Sequence, residues 1–358
     1  MAQTPVNQAA WLKSSQATPL EVGPAPYTPP APGQLVIKNA ALGINPIDVR
    51  KQTEGDGILP HIRYPTIFGE DIAGTVVATG EGVTRFKPGD RVLAVAGLIP
   101  TNNTPEGAFQ LYTVAREWLT TPLPDHMSFE QGCVLPLALL VAGTGLFLKD
   151  YLGLDSPTVP ARPKTNDDGS ARGVVIVAGG ASAVGGTGVQ LAAAAGYEVV
   201  STSSPRNFDL VKGLGATHVV DYRSPTVADE LLDAVRGKQL LGALSLGDGT
   251  ADYLADVLRR HEESAGPTKK FIARAEGKHS VEEGGEVAVK FILISPQVIG
   301  PETPLRQIFE AYLPRALAEG RFEARPVPDV VGKGLDRIQD AFEVLRKGVS
   351  AKKIVVQL

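Results

Sequence analysis

Apolar and polar positions along the chain follow two different rhythms. Through the first third the apolar segments are short and rich in β-branched residues, at 35–42, 73–79 and 91–95. Turn clusters at 79–82 and 87–91 separate them. Short strands bounded by Gly and Pro predict a small barrel-like or sandwich domain. From Phe129 the rhythm becomes helical, and Ser128 ahead of Glu130 and Gln131 predicts an N-cap. The stretch Asp155–Arg172 contains Pro157, Pro160 and Pro163, lacks periodicity and predicts an exposed loop. Strands and helices then alternate: a strand after Gly173, a Gly-rich turn, a helix through Gln190 and Ala195, and a strand from Glu198. Further elements follow at Phe208–Leu214, His218–Tyr222, Val227–Val235 and Leu240–Leu246. Such alternation predicts a parallel doubly wound sheet. From about Pro301 the pattern predicts two amphipathic helices and a closing strand at 353–357.

Length and composition narrow the function class. A chain of 358 residues is long for one core and comfortable for two domains. A formal net charge of −4 gives no reason to expect nucleic acid or an anionic membrane as partner. Cys133 is the single cysteine, so no disulfide forms within the chain, and a reducing, cytoplasmic setting fits best. Its apolar neighbours predict a buried packing residue rather than a nucleophile. No stretch is expected to reach the roughly 18 apolar residues of a membrane span.

The Gly-rich turn carries the first chemistry. Gly179, Gly180, Ala181, Ser182, Ala183, Val184 and Gly185 lie between a buried strand and a helix. Small residues there let the backbone approach a pyrophosphate, and the helix N-terminus supplies free amides and a favourable dipole. The spacing departs from strict Gly-x-Gly-x-x-Gly, and a turn that merely packs the helix remains an alternative. The end of the next strand selects the dinucleotide. NAD sites place Asp or Glu there, whereas sites for a 2′-phosphate carry hydroxyls and Arg. Here the turn reads Ser204, Pro205, Arg206, Asn207, without an acid, which predicts NADPH. The alternative is that these residues only cap the following helix.

Several segments in this order resemble the medium-chain dehydrogenase/reductase superfamily over nearly the whole chain. They are 43–48, 68–77, 86–92, 107–112, the Gly-rich turn, 215–222 and 347–355. The branch is similar to the quinone oxidoreductases and, more narrowly, to fungal trans-acting enoyl reductases of polyketide pathways. The resemblance implies an α/β protein: a GroES-like β-rich catalytic domain at 1–140 and 302–358, plus a Rossmann domain of doubly wound parallel sheet at 141–301. It implies a cleft where nicotinamide meets substrate, lined by Asn45, Asp48 and Arg50, with Asn45 and Arg50 in catalytic positions and Asp48 on the cofactor. Gly143 and Thr144 would face nicotinamide and substrate. Ala181 to Gly185 would hold the pyrophosphate, and Ser204, Arg206, Asn207 and Tyr222 the adenosine phosphate. Val349 and Ser350 would approach the cofactor from the tail.

Zinc-dependent relatives use a Cys, a Gly-His-Glu and a further Cys or acid, while catalytic zinc needs three protein ligands. Here the corresponding positions read Gly69, Glu70, Asp71 and Asn45, so no metal is expected. His61, His126, His218, His261 and His279 lack ligand spacing and read as surface or turn residues. Without a Lewis acid an alkoxide is hard to stabilise, whereas an enolate needs only hydrogen-bond donors. The expectation is therefore NADPH-dependent reduction of an α,β-unsaturated carbonyl. Alternatives are a quinone reductase and a non-catalytic NADPH-binding sensor. Arg50, Lys51, His61 and Tyr64 stand as side-chain candidates for protonation. The partner is a small-molecule substrate, free or carrier-bound, although Asp155–Arg172 has no basic cluster to suit an acidic carrier. Monomer and homodimer stay open.

Overall fold

The protein is described here from a computed structural model that covers residues 5–163, 173–265, 267–275, 277–282 and 284–358. The remainder of the loop expected at Asp155–Arg172, residues 164–172, lies outside the described residues; 155–163 carry no helix or strand. The chain divides into two compact units, one of 1–137, 294–318 and 324–358, the other of 138–293 and 319–323.

The first unit is built on a six-stranded sheet. Its order is Val327–Lys333, Lys352–Gln357, Gln34–Gly43, Asp71–Thr79, Arg91–Ala96, Tyr112–Pro122. An additional pairing of Gln34–Gly43 with Tyr112–Pro122 closes the sheet on itself. The closed ring comprises Gln34–Gly43, Asp71–Thr79, Arg91–Ala96 and Tyr112–Pro122, with Lys352–Gln357 and Val327–Lys333 continuing outward from it. Leu35, Ile37, Leu42, Ile72, Phe109, Phe342 and Ile354 belong to one buried apolar cluster of this unit. A second, three-stranded sheet of Glu21–Ala25, Asn7–Leu12 and Thr66–Ile67 lies in the same unit. Its first hairpin escapes sequence reading, because Pro19 and Pro24 interrupt the alternation that announces a strand.

The second unit holds six parallel strands. Their order is His218–Asp221, Glu198–Ser203, Val174–Val177, Leu240–Ser245, Phe271–Arg274, Ala288–Phe291. Val174–Val177 is buried at all four positions. A central strand covered on both faces reads as a continuous apolar run rather than an alternation. The order reverses between this strand and Leu240–Ser245, and α/β sheets bind ligands beyond the carboxyl ends at such a switch point. The unit ends as a sheet at Phe291, so residues from Ile294 leave it. The returning segment 319–323 is tied in by Gln190, which donates to Glu323 O and accepts from Glu323 N.

One expectation about the bulk pattern is corrected. The helical stretch Phe129–Phe147, 19 residues, is long and apolar enough to cross a membrane by length and composition. Most of it is buried in the folded protein, as a core helix is. Ser128 does cap its first turn, with Oγ accepting from Gln131 N at 3.2 Å. Cys133 follows, fully buried, its thiol pushed well up by that burial.

Candidate functional site

Two groups of polar residues stand apart from the apolar cores, one in each unit. In the first unit the strand ending at Gly43 runs into helix Pro46–Glu54, a segment too polar to announce itself by hydrophobic period. Asn45 is its N-cap. Asp48, three residues on, returns Oδ2 to Asn45 N at 2.8 Å, and Pro46 occupies the first helical position. The side chains of Asn45 and Lys353 then converge on Asp71. Asn45 Nδ2 donates to Asp71 Oδ2 at 2.9 Å, and Lys353 Nζ donates to the same oxygen at 2.7 Å. Lys353 also donates to Asn45 Oδ1. Leu137 N donates to Asp71 Oδ1 at 2.6 Å. Asp71 is 0% exposed and Lys353 5%, so this ion pair is shielded from water.

Two further carboxyls are buried beside it. Burial pushes Asp48 up to about 7, although its bond from Asn45 and the nearby Lys353 ammonium pull the other way. Burial also raises Glu70 well above the carboxylate range, and the neighbouring charges of Asp48 and Asp71 add to it. Asp48 Oδ1 and Glu70 Oε1 make no hydrogen bond. Near neutral pH this corner therefore holds one ion pair and carboxyls inclined to keep their protons.

The expected proton donors are all engaged. Arg50 sits exposed on the helix and pairs with Glu54 at 2.6 Å. The Lys51 ammonium is buried and donates to the carbonyls of Gly55, Ile58 and Leu59 at 3.0–3.1 Å. Tyr64 Oη donates to Asp56 at 3.0 Å, and His61 Nε2 lies 2.7 Å from Ile99 O. Val349 and Ser350 precede the terminal strand Lys352–Gln357, Val349 being 38% exposed. One histidine reading is corrected: His261 is fully buried, with Nδ1 2.7 Å from Thr268 Oγ1 and Nε2 3.3 Å from Val235 O. It sits on the inward face of an amphipathic helix, Thr250–Ala265, which pattern alone gave no reason to assign to a histidine.

In the second unit the Gly-rich turn leaves the carboxyl end of Val174–Val177. Gly179 takes φ +72°, a left-handed backbone that glycine adopts without strain. A Cβ on Gly180 would stand 2.3 Å from Ser201 Oγ, and one on Gly185 2.1 Å from Gly179 O. Only a bare backbone fits here. Helix Ala183–Ala194 starts at once, with Ser182 as N-cap accepting from Gly185 N at 3.0 Å. Ala181 to Val184 are half-buried, and Ser182 N closes the turn by donating to Gly179 O at 2.9 Å. These residues fit a pyrophosphate: tight glycines, a helix N-terminus and a hydroxyl.

The next strand, Glu198–Ser203, is bonded to that turn. Gly180 N donates to Thr202 O at 2.9 Å and Gly179 N to Thr202 Oγ1 at 3.2 Å. Ser204 follows, and Asn207 Nδ2 donates to its Oγ at 3.1 Å. Arg206 is exposed at the same turn, and Tyr222, beyond His218–Asp221, is 47% exposed. The structure thus gathers Ala181 to Gly185, Ser204, Arg206 and Asn207 along adjacent strand ends. Gly143 and Thr144 differ from them. Both are buried, and Thr144 Oγ1 donates to Leu140 O at 2.7 Å, which commits its side chain to its own helix.

Sequence reading passed over Lys353, Thr202 and Tyr253. For Lys353 a signal existed: it is a cation directly before the apolar run Ile354–Val356 of the terminal strand, and it is buried with that run.

Residues 31–125 match the family model described as "Alcohol dehydrogenase GroES-like domain". The chain is 41% identical to "Dehydrogenase pigH" of Monascus ruber, over 99% of this chain and 100% of the relative. It is 34% identical to "Trans-enoyl reductase himH" of Aspergillus japonicus, over 99% of this chain and 98% of the relative. Among solved structures, the CurK enoyl reductase has a similar fold, with TM-score 0.71 and 23% identity over 99% of each chain.

Proposed function

The chain belongs to the medium-chain dehydrogenase/reductase superfamily, a family of oxidoreductases that use a nicotinamide cofactor, and we propose that it is an NADPH-dependent reductase of a carbon–carbon double bond conjugated to a carbonyl, working without zinc. The observation that carries the cofactor reading is the turn at 204–207. Arg206 is exposed beside Ser204 and Asn207 where an NAD site would hold an acid, and no hydrogen bond or ion pair among the described residues engages its guanidinium. A fixed cation with flanking donors suits a 2′-phosphate.

When bound, the reduced nicotinamide supplies a hydride for the β-carbon of such a substrate. The chain's own part is to bind and orient. The Gly-rich turn holds the diphosphate, and the Asn45–Asp71–Lys353 network keeps helix Pro46–Glu54 in register with the terminal strand. That network also supports a metal-free reading. Both oxygens of Asp71 are taken, one by Leu137 N and the other by Asn45 and Lys353, so the carboxylate has little capacity left for a cation. The double-bond substrate rests on the trans-enoyl reductase relative, 34% identical along almost the entire chain. A single buried cysteine accords with a cytoplasmic enzyme.

The test follows absorbance of NADPH and of NADH with enones, enoyl thioesters and quinones, with and without a chelator. Chelator-insensitive oxidation of NADPH on an enone or enoyl thioester is expected. Turnover on quinones alone would move the protein to the quinone reductases. Tight NADPH binding without turnover on any of them would favour a sensor.

A further inference from the structure

Thr202 and Tyr253 form a hydrogen-bonded pair, 3.2 Å between hydroxyl oxygens, at the junction of the Gly-rich turn and the 204–207 turn. Thr202 is 0% exposed, and its Oγ1 already accepts from Gly179 N. A buried hydroxyl must also place its own proton, since an unmet donor is costly. Among the described residues the acceptor in reach is Tyr253 Oη. Thr202 therefore donates and Tyr253 accepts. The phenol proton of Tyr253 is then left pointing away from Thr202, with no protein acceptor among the described hydrogen bonds. Burial pushes Tyr253 up to about 12, so it stays a neutral donor at any physiological pH. The residue stands on the first turn of helix Thr250–Ala265.

We infer that Tyr253 is a cofactor-binding residue whose hydroxyl donates a hydrogen bond to the adenosine half of the dinucleotide. The inference rests on the dinucleotide reading above and adds a contact from a third strand end, after Leu240–Ser245, to the two already described. Geometry points to the adenosine rather than the nicotinamide half. Thr202 is bonded to the diphosphate turn and stands two residues before Ser204 and four before Arg206, the turn proposed for the 2′-phosphate. The pair also makes Thr202 a positioning residue, since its backbone and side chain together receive two amides of the Gly-rich turn.

Tyr253→Phe removes one oxygen and keeps the ring. Binding is measured on the full chain with three probes: NADPH, adenosine 2′-monophosphate and reduced nicotinamide mononucleotide. One neutral hydrogen bond predicts Kd values about five-fold higher for NADPH and for adenosine 2′-monophosphate. The nicotinamide fragment should bind as it does to the wild type, and KM for NADPH should rise in step with its Kd. An unchanged affinity for adenosine 2′-monophosphate overturns the inference, as does a loss shared equally by the two fragments. The unfolding midpoint of the ligand-free protein separates a purely structural role. A variant that melts earlier yet binds adenosine 2′-monophosphate normally also overturns it. Wild-type protein that binds neither NADPH nor this fragment would remove the dinucleotide reading itself; normal wild-type binding with an indifferent variant removes only the role of Tyr253.

Discussion

Replacing Lys353 with Met tests whether the buried network is held by charge. The ammonium is 5% exposed and Asp71 0%, and the two meet at 2.7 Å. Met approximates the length of the stem but leaves the Asp71 carboxylate with only the neutral donors Asn45 Nδ2 and Leu137 N. Breaking a buried pair from one side costs about 3–5 kcal/mol, because the remaining charge is uncompensated. Asn45 Oδ1 also loses its donor. The expected destabilisation of the barrel-bearing unit is therefore about 4 kcal/mol. Trp11 and Trp118, the only two tryptophans, both lie in that unit, so urea unfolding followed by tryptophan fluorescence reports on it directly. The second arm adds Asp71→Asn. An amide can still accept from Leu137 N, and the double variant should recover roughly half the loss, since no charge is left buried. Added salt should barely alter the Lys353→Met effect, because a buried pair is poorly screened. A Lys353→Met protein within about 1 kcal/mol of wild type would refute the argument, as would a double variant whose loss equals the sum of the singles.

Four further outcomes are expected. Asp48 is held at about 7 against an ordinary 3.8, so the folded state binds a proton that the unfolded state has released. Stability should then fall as pH rises between these values, by at most roughly 4 kcal/mol in all, and urea midpoints for Asp48→Asn should show a flatter profile from about pH 4 to 7. Arg206→Ala should raise KM for NADPH by about 10- to 100-fold and leave that for NADH nearly unchanged, the loss of a charge-assisted phosphate contact; steady-state kinetics with both cofactors decides it. Gly185→Ala places a Cβ 2.1 Å from Gly179 O, so NADPH titration should show binding weakened by an order of magnitude or more. Lys51→Met strips the donor from three carbonyls of the 55–59 segment and should cost about 3 kcal/mol in urea unfolding, with kcat preserved if this lysine is structural.

That the β-rich unit takes in both chain ends was implied only by the family resemblance, but the order of elements was enough to predict a β-rich first third followed by a parallel sheet. That follows because strand and helix periods are local properties, and because the run at Val174–Val177 is apolar on both faces. The Gly-rich turn and the acid-free turn at 204–207 were legible for the same reason, since each lies within a few consecutive residues. Tertiary structure decided what depends on residues far apart in sequence. It brought Lys353 to Asp71 and Asn45 across some 280 and 310 positions, turned His261 inward, and committed the Thr144 hydroxyl to its own helix. It also took up the ammonium of Lys51 with carbonyls, although that residue stood among the candidates for protonation. A side chain's chemistry is set by its solvation and its partners. Burial and hydrogen bonding are sums over the folded surroundings, so no local window of sequence contains them.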